Sequence, residues 1–495
     1  MSKPKQTFYF VLIALFQILQ IFTIGFGQAV ETTITIDSKS PAMDSVTGRQ
    51  NDGQAYTNWR NFSFVRKVAG IEDLTRRISD VMFFDSDGRE LTSKKLVDGQ
   101  YLAENDIRSW RYKINLKVPD ARNAAAHTSW IANDRGILML SDILPLAGQI
   151  KNQAVAVRFE LPDGWKVLST ERMDDKGVFQ ISNAGKAVFY IGNGWRERKV
   201  PSGSFDLRLT ISGDWLFSDE EAAATAQDIF AEYRRLFGSD PVVNATIAIA
   251  KFPAPTNPGS WEAETRGRSV TVISSDMPFK TQSLQRLHEQ LRHEIFHLWL
   301  PNGINLTGNY DWFYEGFALY RSLKAGVAMN QIRFEDFLDT LSRAHNIDSI
   351  QPKPISLLEA SKNRWSGADT QVYARGMLVA FLCDLSLLQG SKGKVSVDDI
   401  LRTLYNLHRP PNSPIDANTA ILRILSSYPQ LAATVENYIK GSKNVDWQAQ
   451  LDMAGIENES ANSSTKLRVK AKLNGVQKAL LDKLGYNNWR KLTRK

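Results

Sequence analysis

An α+β, multidomain fold is predicted for this chain of 495 residues. Three observations predict it. Short apolar–polar alternations broken by turn residues run from about residue 60 to 215, after a polar stretch over 28–60 that is expected to be partly disordered. Strand-like and helix-like segments then alternate. Spacings of three and four dominate from there to about residue 442. With 43% hydrophobic residues, the chain can fill the cores of two to four domains.

The elements follow in order. Lys3 and Lys5 precede an apolar run from Phe8 to Phe26, interrupted only by Gln17, Gln20 and Thr23. Gly25-Phe26-Gly27 offers small residues at a cleavage site, so residues 1–27 read as an export signal. At about 1.5 Å per residue the same run could nearly cross a bilayer, which leaves an uncleaved anchor as the alternative. Either way the body is expected outside the cytoplasm, periplasmic or secreted. The single cysteine, Cys383, excludes an intramolecular disulfide and reads as a small buried hydrophobe. Such an exported chain fits a bacterial envelope.

Residues 28–215 are expected to form a β-sandwich, with strands near Trp110–Val118, Ala154–Leu161, Ala187–Ile191 and Phe205–Ile211. Ser218-Asp219-Glu220-Glu221 is a capping-box pattern that opens a helix to about Phe237. Strands near Val242–Ala250 and Val270–Ser274 lead into a second helix. On it Leu284, Leu287, Leu291, Ile295 and Leu298 form one apolar stripe, and Pro301-Asn302-Gly303 marks the stop.

That helix carries His293-Glu294-Ile295-Phe296-His297. Histidines at i and i+4 lie about 40° apart around a helix, so both rings face one way and can hold two corners of a tetrahedral zinc site. Glu294 lies about 60° from His297 and can flank the metal as a proton acceptor without binding it. This is the arrangement of a zinc metalloprotease. A third ligand must come from elsewhere. Glu315, in Trp312-Phe313-Tyr314-Glu315-Gly316-Phe317, sits among aromatics that argue for burial, and a buried carboxylate needs a partner. The blander reading of Glu315 is a solvated helix start.

The pair HEIFH and WFYEGFALY resembles the thermolysin-like gluzincin peptidases, above all aminopeptidase N and the glycyl aminopeptidase relatives. Tyr373-Ala374-Arg375-Gly376 looks like the Tyr-x-Lys-Gly segment of both groups, and the stretches around Phe381–Leu385, Ser396–Ile400 and Val435–Gly441 look like the glycyl aminopeptidases. The resemblance extends to about residue 457. It implies a thermolysin-like catalytic domain over 216–405, a helical region over 406–457, and one Zn(2+) per chain on His293, His297 and Glu315. It implies that Glu294 is the general base and that Tyr373 stabilises the oxyanion. Arg375 replaces a lysine and is given no role. Gly259-Ser260-Trp261-Glu262-Ala263 looks like the segment whose glutamate holds the substrate's α-amine, which makes Glu262 the substrate-binding residue, although Ala263 departs from the pattern and Glu264 could serve instead. The residues after 457 are too few for the peptide-binding PDZ domain that the glycyl aminopeptidases often carry.

The expectation is therefore an exported zinc aminopeptidase acting on peptides. A zinc endopeptidase of the same fold and a catalytically weak peptide-binding protein are the alternatives. Charge adds one feature. Residues 466–495 carry ten Lys/Arg and one acid, Asp482, whereas residues 28–465 are net −3. Residues 458–495 read as a basic tail that could touch an anionic membrane surface or form an edge hairpin. Nothing suggests sequence-specific nucleic-acid recognition.

Overall fold

A computed structural model describes residues 30–50, 59–145, 154–241, 243–351, 354–459 and 464–488. The expected export segment lies outside them. The first half is β-rich. An eight-stranded sheet has Val30–Thr35, Met43–Gln50 and Ser109–Asn115 side by side near its middle, and Val155–Glu160 joins it parallel to Val30–Thr35. A second sheet of four strands holds Lys166–Ser169, Val188–Gly192, Arg135–Met139 and Trp130–Ala132. Val30, Ile34, Val46, Trp110 and Ile114 of the first sheet share one core with Leu138, Phe189 and Ile191 of the second. This is the sandwich that the alternation predicts.

The second sheet is apolar on both faces. Ile137, Met139, Val188 and Tyr190 point away from the sandwich core and pack on Ala248, Ala250 and Ile273 of the next domain. Successive residues of a strand face opposite ways, so a continuous apolar run marks a strand buried twice. Tyr190 seals the contact with a hydroxyl pair to Thr271 at 2.8 Å.

Five further strands form the next sheet: β1 Trp195–Val200, β2 Asp206–Ser212, β3 Asn244–Lys251, β4 Trp261–Arg266 and β5 Ser269–Ser274. Their spatial order is β1-β2-β3-β5-β4, with β2, β3 and β5 parallel and both edges antiparallel. The expected boundary at residue 215 is corrected by this pairing. β1 and β2 belong to this five-stranded sheet, so the sandwich ends near residue 192. Alternation shows that a segment is a strand; which sheet it joins depends on partners far along the chain.

Helix α1, Asp219–Phe237, starts at the expected capping box, in which Ser218 and Glu221 satisfy each other's backbone N–H groups. Helix α2, Lys280–Phe296, buries Leu287, Leu291 and Ile295 against this sheet's core. Helices α3, Asp311–Ala328, α4, Phe334–Ser349, and α5, Gly376–Gly390, pack in the second half of the chain. A π-helical turn, Gln371–Arg375, leads into α5. The stretch Gln371–Gly390 is long and apolar enough to cross a membrane, but 94% of its window is buried inside the protein. A helix apolar all round is the central pillar of a large core. Cys383 lies within it, fully buried as expected. Arg375 is also fully buried, and pairs with Asp348 of α4 at 2.9 Å.

In its described part the expected basic tail takes the edge-hairpin alternative and adds a helix, Gly475–Leu484. Leu467–Val469 pairs antiparallel with Ile456–Asn458, and Leu480, Leu481 and Leu484 enter the main helical core. The positive charges decorate a folded edge.

One buried acid has a stability consequence. Asp44, in the sandwich, is fully buried, and burial pushes its carboxyl up to about 8 from an ordinary value of 3.8. Below about pH 4 both folded and unfolded chains hold this proton. Between pH 4 and 8 the unfolded chain releases it while the folded chain keeps it, so stability falls as pH rises, with a limiting slope of ~1.4 kcal/mol per pH unit. Asp44→Asn is expected to raise stability at pH 7 by a few kcal/mol, on the order of 2–4, and to flatten the profile between pH 4 and 8. Urea unfolding at several pH values measures this, and a parallel profile in the variant would remove Asp44 as the cause.

Candidate active site

Helix α2 ends at the second histidine. His297 is its C-terminal cap, still near helical backbone angles (φ −67, ψ −11), so it stays one turn beyond His293. The two rings meet edge to face, their centroids 4.6 Å apart. The His297 Nδ1–H donates to the Leu300 carbonyl at 2.8 Å. A carbonyl can only accept, so Nδ1 carries a proton, and Nε2, which faces His293, is the nitrogen left to meet a metal.

Glu315 arrives from the first turn of α3. It can do so because α3 crosses α5 at two glycines. A Cβ on Gly316 would lie 2.4 Å from the carbonyl carbon and Cα of Gly376. The backbones therefore touch, and this contact fixes the height of Glu315 beside α2. Gly316→Ala is expected to push the helices apart and lower zinc affinity by roughly 10–100-fold, the usual cost of disturbing a ligand's support. Competition against a fluorescent zinc chelator reads this directly, and unchanged affinity would show that the crossing does not set the ligand.

The three predicted ligands are brought together. His293 Nε2 lies 3.1 Å from Glu315 Oε2 and 3.1 Å from His297 Nε2, and His297 Nε2 lies 3.4 Å from Glu315 Oε2. All three side chains are buried. A tetrahedron with bonds of about 2.0–2.1 Å has edges of about 3.3–3.4 Å. The cluster has that size and that donor set, two imidazoles and a carboxylate, so a zinc ion fits it. When bound, zinc supplies Lewis acidity and acidifies a water.

Around the cluster stand residues of three kinds. Glu294 is buried, and the Thr265 hydroxyl of edge strand β4 lies 2.7 Å from its Oε2 and 2.8 Å from its carbonyl. Asn302 ties the same strand to α2, donating to the carbonyls of Thr265 and His297. Tyr373, on the π-helical turn, accepts a hydrogen bond from Arg364 and keeps its own proton for another acceptor. Burial, then the charge of Glu315, holds its phenol far above the ordinary range, so it stays protonated.

Arg364 escaped the sequence reading. Its guanidinium contacts Glu315 Oε1 at 3.0 Å and Asp311 Oδ1 at 2.7 Å, as well as the Tyr373 hydroxyl. Burial alone would raise the Glu315 carboxyl, but Arg364 and then His297 outweigh it and hold it well below the usual range. Arg364 and Thr265 lie in irregular or strand segments without motif spacing. No local pattern distinguishes them from surface residues.

Glu262 and Glu264 lie two apart on β4, hence on the same side of the strand, and both line the cleft with the zinc cluster. They differ in partners. Glu264 is paired with Arg266 at 2.9 Å and with His127 at 3.0 Å. Despite burial those charges hold its carboxyl at about 2. Glu262 makes no hydrogen bond or ion pair among the described residues. Burial raises its carboxyl above the usual range, opposed by the charges of His127 and Arg122. The cleft holds about 820 Å³, ample for a short peptide.

A five-stranded sheet with an edge strand over two crossed helices, one carrying the two histidines and the other the glutamate, frames the cleft. Residues 70–188 match the Peptidase M61 N-terminal domain. In structure the chain is similar to an aminopeptidase N family protein from Idiomarina loihiensis, with a TM-score of 0.74, 15% identity, and 87% of this chain and 79% of that one covered. It is also similar to an M1 zinc metallopeptidase from Deinococcus radiodurans in complex with a Tyr-Ser-Ala substrate, with a TM-score of 0.55, 14% identity, and 85% and 95% covered. No curated protein matches in sequence. The domain match covers the N-terminal part of the chain, and the structural likeness shows a shared fold.

Proposed function

We propose that this chain is an exported zinc aminopeptidase that removes residues from the free N-terminus of peptides. The observation that carries the reading is the pairing state of β4. Of its two cleft-facing glutamates, Glu264 is already neutralised and Glu262 is free to take an ammonium group.

The roles follow from position. Glu262 pairs with the substrate's α-amine and holds the first peptide bond over the cluster of His293, His297 and Glu315. Glu294, steadied by Thr265, accepts a proton from the attacking water and passes it to the leaving amine. Tyr373 donates its free proton to the oxygen that becomes negative as the carbonyl is attacked, an interaction present only in the transition state. Arg364 holds Tyr373 and Glu315 in register.

The test compares Ala- or Gly-initiated peptides with their N-acetylated forms, in the wild type and in Glu262→Gln, with and without chelator. The free peptides are expected to turn over at least tenfold faster, because the blocked substrate would cover the half-buried Glu262 carboxylate without pairing it. Glu262→Gln is expected to narrow that gap, and chelator to abolish both activities. Equal cleavage of free and blocked peptides, with internal cuts, would make the enzyme an endopeptidase and leave Glu262 without this role.

A further inference from the structure

Among the described residues four arginines are buried: Arg292, Arg321, Arg364 and Arg375. Three have carboxylate partners. Arg321 holds Glu232 and Asp398, Arg364 holds Asp311 and Glu315, and Arg375 holds Asp348. Arg292 has none. It is 3% exposed, and its one side-chain hydrogen bond runs from Nη1 to His288 Nδ1 at 2.9 Å. Its Nε is sealed without a partner, as is His288 Nε2. Burial, then the charge of Arg292 itself, pushes His288 down to about 3, so the imidazole is neutral and offers no counter-charge. Glu289, whose charge reaches Arg292, is about half exposed and pairs with Arg286 instead. A buried guanidinium with no anion is costly, and removing a partner from such a pair is strongly destabilising.

The seat for this cation is built. A Cβ on Gly326 of α3 would lie 2.7 Å from Nη1 and 2.8 Å from Cζ, so glycine there leaves room for the guanidinium. Arg292 also stands where the catalytic cleft meets a second hollow of about 410 Å³, since both are lined by Glu289, Arg292, Leu323 and Thr340. It directly precedes His293 on α2, so an anion reaching it would lie along the same helix as the zinc cluster.

We propose that Arg292 is the receptor for a substrate carboxylate, so that the enzyme favours peptides presenting an anion a short distance from the bond it cuts. The anion is either the C-terminus of a short peptide or an Asp or Glu side chain. Both offer the planar pair of oxygens that a guanidinium edge matches. The inference rests on the metallopeptidase reading of the neighbouring site.

The experiment separates the two. Binding is measured by calorimetry on zinc-loaded Glu294→Gln with three probes: Ala-Ala-Ala, its C-terminal amide, and Ala-Glu-Ala-amide. At least one carboxylate probe is expected to bind roughly tenfold to hundredfold more tightly than the plain amide, the range for a hydrogen bond to a charged group. Whichever probe gains identifies the source of the anion. Adding Arg292→Met is expected to erase that advantage, and Arg292→Lys to restore part of it. Equal binding of all three probes to Glu294→Gln would overturn the proposal, and needs no Arg292 variant to fold. So would an advantage that persists with methionine at 292. Wild-type turnover is recorded in parallel. Cleavage without carboxylate discrimination sinks this inference alone, whereas discrimination without cleavage sinks the peptidase reading and leaves the anion site standing.

Discussion

Glu294→Gln is expected to lose turnover by roughly two to four orders of magnitude, the usual range for a general base, while zinc content and peptide binding stay near wild type. The amide keeps the size of the carboxylate and can still meet the Thr265 hydroxyl that lies 2.7 Å from Oε2. It cannot take a proton. None of the three cluster ligands is touched, so metal stoichiometry by elemental analysis separates lost chemistry from lost metal. Near-normal turnover in this variant would end the assignment of Glu294 as base. Thr265→Val, which removes only the steadying hydroxyl, should fall between the two.

Arg364→Met is expected to have the largest effect on stability. The guanidinium is the shared partner of Glu315 and Asp311 and lies against the Tyr373 hydroxyl. Removing one side of a buried pair leaves an uncompensated charge, at a cost of about 3–5 kcal/mol. Zinc offsets part of this at Glu315, so the loss should be larger in metal-free than in zinc-loaded protein. Turnover should also fall by roughly two orders of magnitude, as when an oxyanion donor loses its aim. Denaturant unfolding with and without zinc tests the first part. Equal destabilisation in both states would place the effect at Asp311 rather than at the cluster.

Much of this was legible before the structure. The alternating strands, the capping box at Ser218 and the apolar stripe of α2 are local patterns, each decided within a few residues of sequence. His293, Glu294 and His297 were legible because one helix turn sets their geometry. Glu315 came from its aromatic neighbours as well as from resemblance, Tyr373 from resemblance alone, and their meeting depends on the Gly316–Gly376 crossing, which joins positions sixty residues apart. Arg364, Thr265 and Arg292 were not legible. Their significance lies in which acids do or do not sit opposite them, and partners across a fold leave no mark on local spacing. The same limit explains the misplaced boundary at 215, since the strand Asp206–Ser212 looks the same whichever sheet receives it.

The four-stranded sheet with two apolar faces governs how this protein could be divided. A fragment cut after the sandwich, near residue 192, would display Ile137, Met139, Val188 and Tyr190 to water, a sticky plane ready to self-associate. Nor is the segment 70–188 a self-sufficient piece, because Val30–Thr35 and Met43–Gln50 occupy the middle of the larger sheet. The recognisable module is therefore a unit of ancestry rather than of folding, and the protein has to be handled whole.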